Sequence, residues 1–98
     1  MSTPLSDAQI QDALKSLPGW RYEEGKLKRR FQFGGFKEAV SFIVRLAFEA
    51  ERLNHHPELR NIYNRVEIAL STHDAGGRVT ARDVELAKAI ESFNWLPA

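Results

Sequence analysis

The stretch Phe36-Lys37-Glu38-Ala39-Val40-Ser41-Phe42-Ile43-Val44-Arg45-Leu46-Ala47-Phe48-Glu49-Ala50-Glu51-Arg52-Leu53-Asn54-His55-His56-Pro57 decides how the chain is read. Phe36, Ala39, Val40, Ile43, Leu46, Ala47, Ala50 and Leu53 recur at the 3.6-residue period of one helix face, which predicts a long amphipathic helix. Phe42 and Phe48 fall off that stripe and are expected to cover a second surface, such as a subunit contact. Gly34-Gly35 opens the helix. Pro57 ends it, because proline biases the preceding His56 toward extended backbone. The helix is therefore expected to stop near Asn54-His55, leaving two adjacent imidazoles at its end.

On each side of this helix lies a hairpin. Upstream, Trp20-Arg21-Tyr22-Glu23 alternates, Glu24-Gly25 makes a two-residue turn, and Lys26 to Phe33 returns. Leu27, Arg29, Phe31 and Phe33 share one face of the return strand, and Lys26, Lys28, Arg30 and Gln32 the other. Downstream, Glu58 to Ile62 reads as a strand and Tyr63-Asn64-Arg65 as a turn. Val66, Ile68, Leu70 and Thr72 then alternate with Glu67, Ala69, Ser71 and His73. Helices flank the hairpins. Ser6 and Gln9 form a capping box for a helix carrying Ile10, Ala13, Leu14 and Leu17 up to Pro18-Gly19. Thr80 and Asp83 do the same for one carrying Leu86, Ala87, Ile90 and Phe93. Asn94 to Ala98 is a tail. The order α-β-β-α-β-β-α predicts an α+β fold, a four-stranded antiparallel sheet with three helices packed on one face. The whole chain, 1–98, is expected to be one domain.

Composition narrows the function. The 98 residues include no cysteine, which removes disulfides, thiolate metal sites and cysteine nucleophiles. Net charge is +1, so no global field draws nucleic acid or an anionic membrane. The basic run Lys26 to Arg30 is split across two strand faces, and reads as a solvated sheet surface more readily than as a nucleic-acid patch. No apolar run approaches the ~18–20 residues of a membrane span. The N-terminus lacks a basic region followed by an apolar one, so a cytoplasmic location is the expectation. Neither Gly34-Gly35 nor Gly76-Gly77 carries the residues of a phosphate loop.

Chemistry then rests on His55, His56 and His73, the three histidines of the chain. Imidazole is the side chain that both gives and takes protons near neutrality. Each histidine taken singly also has a structural reading. Glu51 lies one helical turn before His55, where it either orients that ring or makes an ordinary surface pair worth about 0.3–0.5 kcal/mol. Three histidines and Glu51 supply enough ligands for zinc, but adjacent histidines lack the i,i+3 or i,i+4 spacing that helical metal ligands use. Asp83 reads first as a helix cap on its spacing, with a catalytic role as the competing reading. Strict alternation sends His73 away from the helix-covered face, so the site lies at the rim of the sheet unless a twist or bulge redirects the ring.

Four ordered motifs carry a resemblance: Asn54-His55-His56-Pro57-Glu58, Tyr63-Asn64-x-Val66, Ser71-Thr72-His73-Asp74-x-Gly76-Gly77 and Thr80-x-x-Asp83. With the looser Leu17-Pro18-Gly19-Trp20 junction, the chain resembles the pterin-4a-carbinolamine dehydratases. The resemblance implies dehydration of 4a-hydroxytetrahydropterin without metal or organic cofactor, by a homodimer or homotetramer. It places the family's catalytic histidines on His55, His56 and His73, its proline on Pro57, its supporting acids on Glu51 and Asp83, and a pocket tryptophan on Trp20. An aromatic amino acid hydroxylase is the implied source of the pterin. A protein-binding role beside the enzyme is also implied, since family members are dimerisation partners of a homeodomain transcription factor.

Overall fold

The computed structural model describes residues 3–93, so the tail expected at 94–98 lies outside the described residues. The elements are α1 (Asp7–Leu14), β1 (Arg21–Glu23), β2 (Lys26–Gln32), α2 (Phe36–Leu53), β3 (Glu58–Ile62), β4 (Arg65–Leu70), a 3-10 turn (His73–Ala75) and α3 (Ala81–Phe93). The strands form one antiparallel sheet in the order β1-β2-β4-β3. The two hairpins thus meet through β2 and β4, with Leu27 opposite Leu70, Arg29 opposite Ile68 and Phe31 opposite Val66. This is the α+β architecture that the sequence predicts.

Local chemistry explains the joints. In the first hairpin Glu24 and Gly25 take φ of 55° and 77°, the two positive values that a tight turn between twisted strands needs. Glu24 is held there by Lys28, whose ammonium donates to its carboxylate. That bond holds the Glu24 carboxyl below its ordinary range, and the same contact raises Lys28. Ser6 and Gln9 make the reciprocal capping box, with Gln9 N–H donating to Ser6 Oγ at 3.1 Å and Ser6 N–H to Gln9 Oε1 at 2.8 Å. α1 stops earlier than its apolar spacing suggests. Beyond Leu14 the chain tightens into i→i−3 bonds, Ser16 N to Ala13 O and Leu17 N to Leu14 O, both 3.1 Å. Pro18 cannot donate to continue the ladder, and the tighter turn drops Leu17 into the core.

The core lies between the helices and the sheet face that carries Leu27, Phe31, Val66, Ile68 and Leu70. Phe42 corrects the sequence reading. It is 1% exposed, with its ring 4.7 Å from Phe31, 5.0 Å from Phe33 and 5.5 Å from Phe93. Burying such a side chain is worth roughly 1.5–3 kcal/mol. The buried stripe of α2 is Ala39, Phe42, Leu46 and Ala50, while Phe36, Val44 and Phe48 stand 54%, 52% and 69% exposed on its outer side. The helix is amphipathic, with Lys37, Ser41, Arg45, Glu49 and Arg52 on its outer side, and Phe42 sits at the edge of the apolar stripe beside Leu46 and Leu53 rather than on a second face.

Arg29 is the one charged residue of β2 on the core face. It lies 4.4 Å above the Phe31 ring, donates to Pro18 O at 2.8 Å and pairs with Glu91 of α3 at 2.6 Å. Trp20 donates its indole N–H to the same Glu91 oxygen at 2.9 Å. This cluster ties the end of α3 to the α1–β1 junction. No described helix is long and apolar enough to cross a membrane.

Candidate functional site

The site is built where α2 ends. Asn54 adopts the left-handed conformation, φ 50° and ψ 46°. Its N–H donates to Glu51 O at 3.1 Å, and the His55 N–H reaches back to Ala50 O at 3.0 Å. These are the two bonds of a Schellman ending, in which the residue after the left-handed one folds back on the helix. Here that residue is His55, so its ring turns inward and is 6% exposed. His56 precedes Pro57, takes the opposite direction and leaves its side chain 59% exposed. Adjacent histidines thus point apart.

Each ring meets a different carboxylate. His55 Nε2 lies 2.5 Å from Asp83 Oδ1. His56 Nε2 lies 2.6 Å from Glu51 Oε1. The sequence expectation had paired Glu51 with His55, one helical turn on. The left-handed turn at Asn54 breaks the helical phase, so the pair forms five residues apart with His56 instead.

Asp83 joins the cap role and the site role, which the sequence had set against each other. Its Oδ2 accepts the Thr80 N–H at 2.8 Å, as a capping residue does at the start of α3. The same oxygen accepts Thr72 Oγ1–H at 2.8 Å, and Oδ1 faces His55. The residue is fully buried. A carboxylate with no access to water needs such partners, because leaving one of its lone pairs unmet inside a protein is expensive.

His73 begins the 3-10 turn after β4 and is exposed. The alternation of β4 runs on through Thr72, which is buried with Leu70, and then breaks. The site therefore lies at the rim of the sheet. A cavity of about 250 Å³ is lined there by Asn54, His55, His56, Ser71, Thr72, His73, Asp74 and Arg82. All three histidines reach it. Asp83 stands behind His55, Glu51 behind His56, and Pro57 is half-buried just beyond. Trp20 is not brought to this cavity; its indole is in the core, bonded to Glu91.

Sequence reasoning passed over Asn54, Thr72 and Arg82. Asn54 was detectable as the residue type that most readily follows glycine into the left-handed region. Thr72 was detectable as a hydroxyl in the buried phase of a strand. Arg82 donates to the Asn54 carbonyl, closing the cavity wall between α2 and α3, and carries no motif. A larger cavity, about 330 Å³, lies against β1, β2, β3 and β4. It has no histidine, and Lys28, Arg60 and Glu67 on it are ion-paired. Among the described residues no group of three or more His, Asp or Glu is placed to hold a metal ion.

Three imidazoles thus line one rim cavity, with a carboxylate behind each of two of them. A family model for pterin 4 alpha carbinolamine dehydratase matches residues 3–93. A protein of Opitutus terrae, provisionally named a pterin-4-alpha-carbinolamine dehydratase, is 55% identical over 98% of this chain and 99% of its own. One of Christiangramia forsetii with the same provisional name is 50% identical over 95% of each chain. The crystal structure of a transcriptional coactivator/pterin dehydratase from Brucella melitensis superposes with a TM-score of 0.86 at 36% identity, covering 92% of this chain and 97% of that one. A pterin dehydratase-like RuBisCO assembly factor of the alpha-carboxysome shares the fold, with a TM-score of 0.66 at 22% identity. The chain belongs to the pterin-4-alpha-carbinolamine dehydratase family, whose members are hydro-lyases.

Proposed function

We propose that this chain dehydrates a 4a-hydroxytetrahydropterin to the quinonoid dihydropterin and water. The observation that carries the reading is the convergence of His55, His56 and His73 on one cavity in a chain of this family. In the reaction a proton is delivered to the 4a-hydroxyl, the C4a–O bond breaks with its electron pair leaving on water, and the N5 proton is lost as the C4a=N5 bond forms. Both proton movements are general acid–base steps. They require no nucleophile and no cofactor.

The His55/His56 pair serves as the acid and His73 as the base. Asp83 and Glu51 orient the first two rings, and Asp83 gives His55 a counter-charge while a proton is in transit. Pro57 sets the direction of the chain after the pair. Trp20 contributes through the Arg29–Glu91 cluster rather than by stacking on the pterin. In the cytoplasm such an enzyme would serve tetrahydropterin recycling, taking its substrate from an aromatic amino acid hydroxylase.

The test is turnover of synthetic 4a-hydroxytetrahydropterin by the purified chain, followed by the rise of the quinonoid product. Catalysis above the spontaneous rate is expected; a rate equal to the spontaneous one would sink the reading.

A homodimer or homotetramer is also proposed. It is supported by the exposed ridge of Phe36, Val44 and Phe48 on α2, an apolar surface that a monomer leaves in water. In sedimentation, Phe48→Glu is expected to lower the assembled mass. A wild-type monomer, or a variant of unchanged mass, would remove this surface from consideration.

A further inference from the structure

We infer that Thr72 is a positioning residue that sets the His55 ring through Asp83 and joins the two halves of the site. The inference rests on the proposed dehydratase reading for its kinetic part, but its geometric part stands alone.

The hydrogen bonds around Thr72 have one direction. Thr80 Oγ1 accepts the Arg82 N–H at 3.2 Å and lies 2.7 Å from Thr72 Oγ1. Thr72 Oγ1 lies 2.8 Å from Asp83 Oδ2, and a carboxylate oxygen can only accept there. The single Thr72 hydrogen is thereby committed to Asp83, so the Thr80 hydroxyl must donate to Thr72. With Oδ2 already accepting from Thr72 and from the Thr80 N–H, Oδ1 is left facing His55 Nε2 at 2.5 Å. His55 Nε2 is then the protonated nitrogen. Nδ1 has no hydrogen-bond partner among the described residues, and the ring forms part of the cavity wall. A neutral ring held this way offers Nδ1 as an acceptor, and a protonated one offers it as a donor.

The backbone of Thr72 holds the other half. Its N–H donates to Arg78 O at 2.9 Å, and its carbonyl accepts from Ala75 N and Gly77 N, both at 3.0 Å. Those bonds close the loop that begins with His73. One buried residue thus fixes both the inward ring of α2 and the turn that carries the exposed ring. Thr72 is 1% exposed and touches the cavity only at its wall, so its hydroxyl acts through Asp83.

The experiment uses the full chain as wild type, Thr72→Val and Thr72→Ser, with histidine ring proton–nitrogen correlation spectra beside turnover kinetics. Wild-type His55, in its neutral form, is expected as the Nε2–H tautomer. Finding the Nδ1–H tautomer instead overturns the inference with no variant needed. Thr72→Val is expected to free the Asp83 carboxylate to turn, shifting or broadening the His55 Nε2–H signal and lowering kcat by roughly tenfold or more, with KM within about twofold. Thr72→Ser is expected to restore the wild-type signal and most of the rate. A folded Thr72→Val with wild-type spectrum and kcat overturns the inference. Should Thr72→Val not fold, Thr72→Ser decides, since a shifted His55 signal in a protein that keeps the hydroxyl contradicts the assigned chain of donors. If the wild type shows no turnover, the dehydratase reading fails, while the spectra still decide the relation of Thr72 to His55.

Discussion

Asp83→Ala is expected to lower stability by roughly 3–5 kcal/mol, the range for removing one partner of a buried, hydrogen-bonded charge pair. Three donors lose their acceptor at once: Thr80 N–H, Thr72 Oγ1–H and His55 Nε2–H. The residue is fully buried, so water cannot replace it without opening the start of α3. Small domains carry only about 5–15 kcal/mol in total. The expected signature is a large drop in the urea midpoint at unchanged slope. Asp83→Asn keeps the shape and some acceptor capacity, and is expected to cost less, about 1–3 kcal/mol. A loss below about 1 kcal/mol for Asp83→Ala would mean that the cap and the His55 contact are not coupled as described.

The second large effect separates chemistry from folding. His73→Ala removes an exposed side chain with no hydrogen-bond partner among the described residues, so its stability is expected to stay within about 0.5 kcal/mol of wild type. Its kcat/KM for the pterin carbinolamine is expected to fall about 10²–10⁴-fold, the usual contribution of one general acid–base group. Thermal melting and turnover on the same samples check both halves. Full activity in folded His73→Ala would assign the base elsewhere, with His56 the remaining exposed imidazole in the cavity.

Much of this arrangement is legible in the residues, and the parts that are not share a cause. Period and turn chemistry place every helix and strand, because Gly34-Gly35, Glu24-Gly25 and Pro57 punctuate the chain sharply. The place of Phe42 on α2 is not legible from the narrow stripe alone. It falls at the stripe's edge beside Leu46 and Leu53, where the sheet offers Phe31 and Phe33 as neighbours, whereas Phe48 falls among Lys37, Ser41 and Arg52 and stays outside. α1 is shorter than its stripe because the approach to Pro18 changes the hydrogen-bond step, which a 3.6-residue template does not register.

The same holds for the site. Its histidines are visible as residue types, but alternation alone left His73 either at the rim or redirected by a twist, and the 3-10 turn that begins with it decides for the rim. The pairing is not visible, because it depends on one backbone conformation. Asn54 in the left-handed region shifts the phase by enough to give Glu51 to His56 and to free His55 for Asp83, 28 residues away. Asp83 looked like a choice between capping and catalysis because spacing reports only neighbours along the chain. A carboxylate has two oxygens, and this one uses them for different elements.

That helix ending has a consequence for when the site exists at all. The last turn of a helix is where local opening costs least, well below the global unfolding free energy. In α2 the amides of Asn54 and His55 are held by the Glu51 and Ala50 carbonyls, but the His55 ring is also anchored to Asp83 and the Asn54 carbonyl to Arg82. The end of α2 is thereby tied to α3, so it cannot fray without breaking those contacts. The exchange rate of the His55 amide is expected to report how firmly that tie holds.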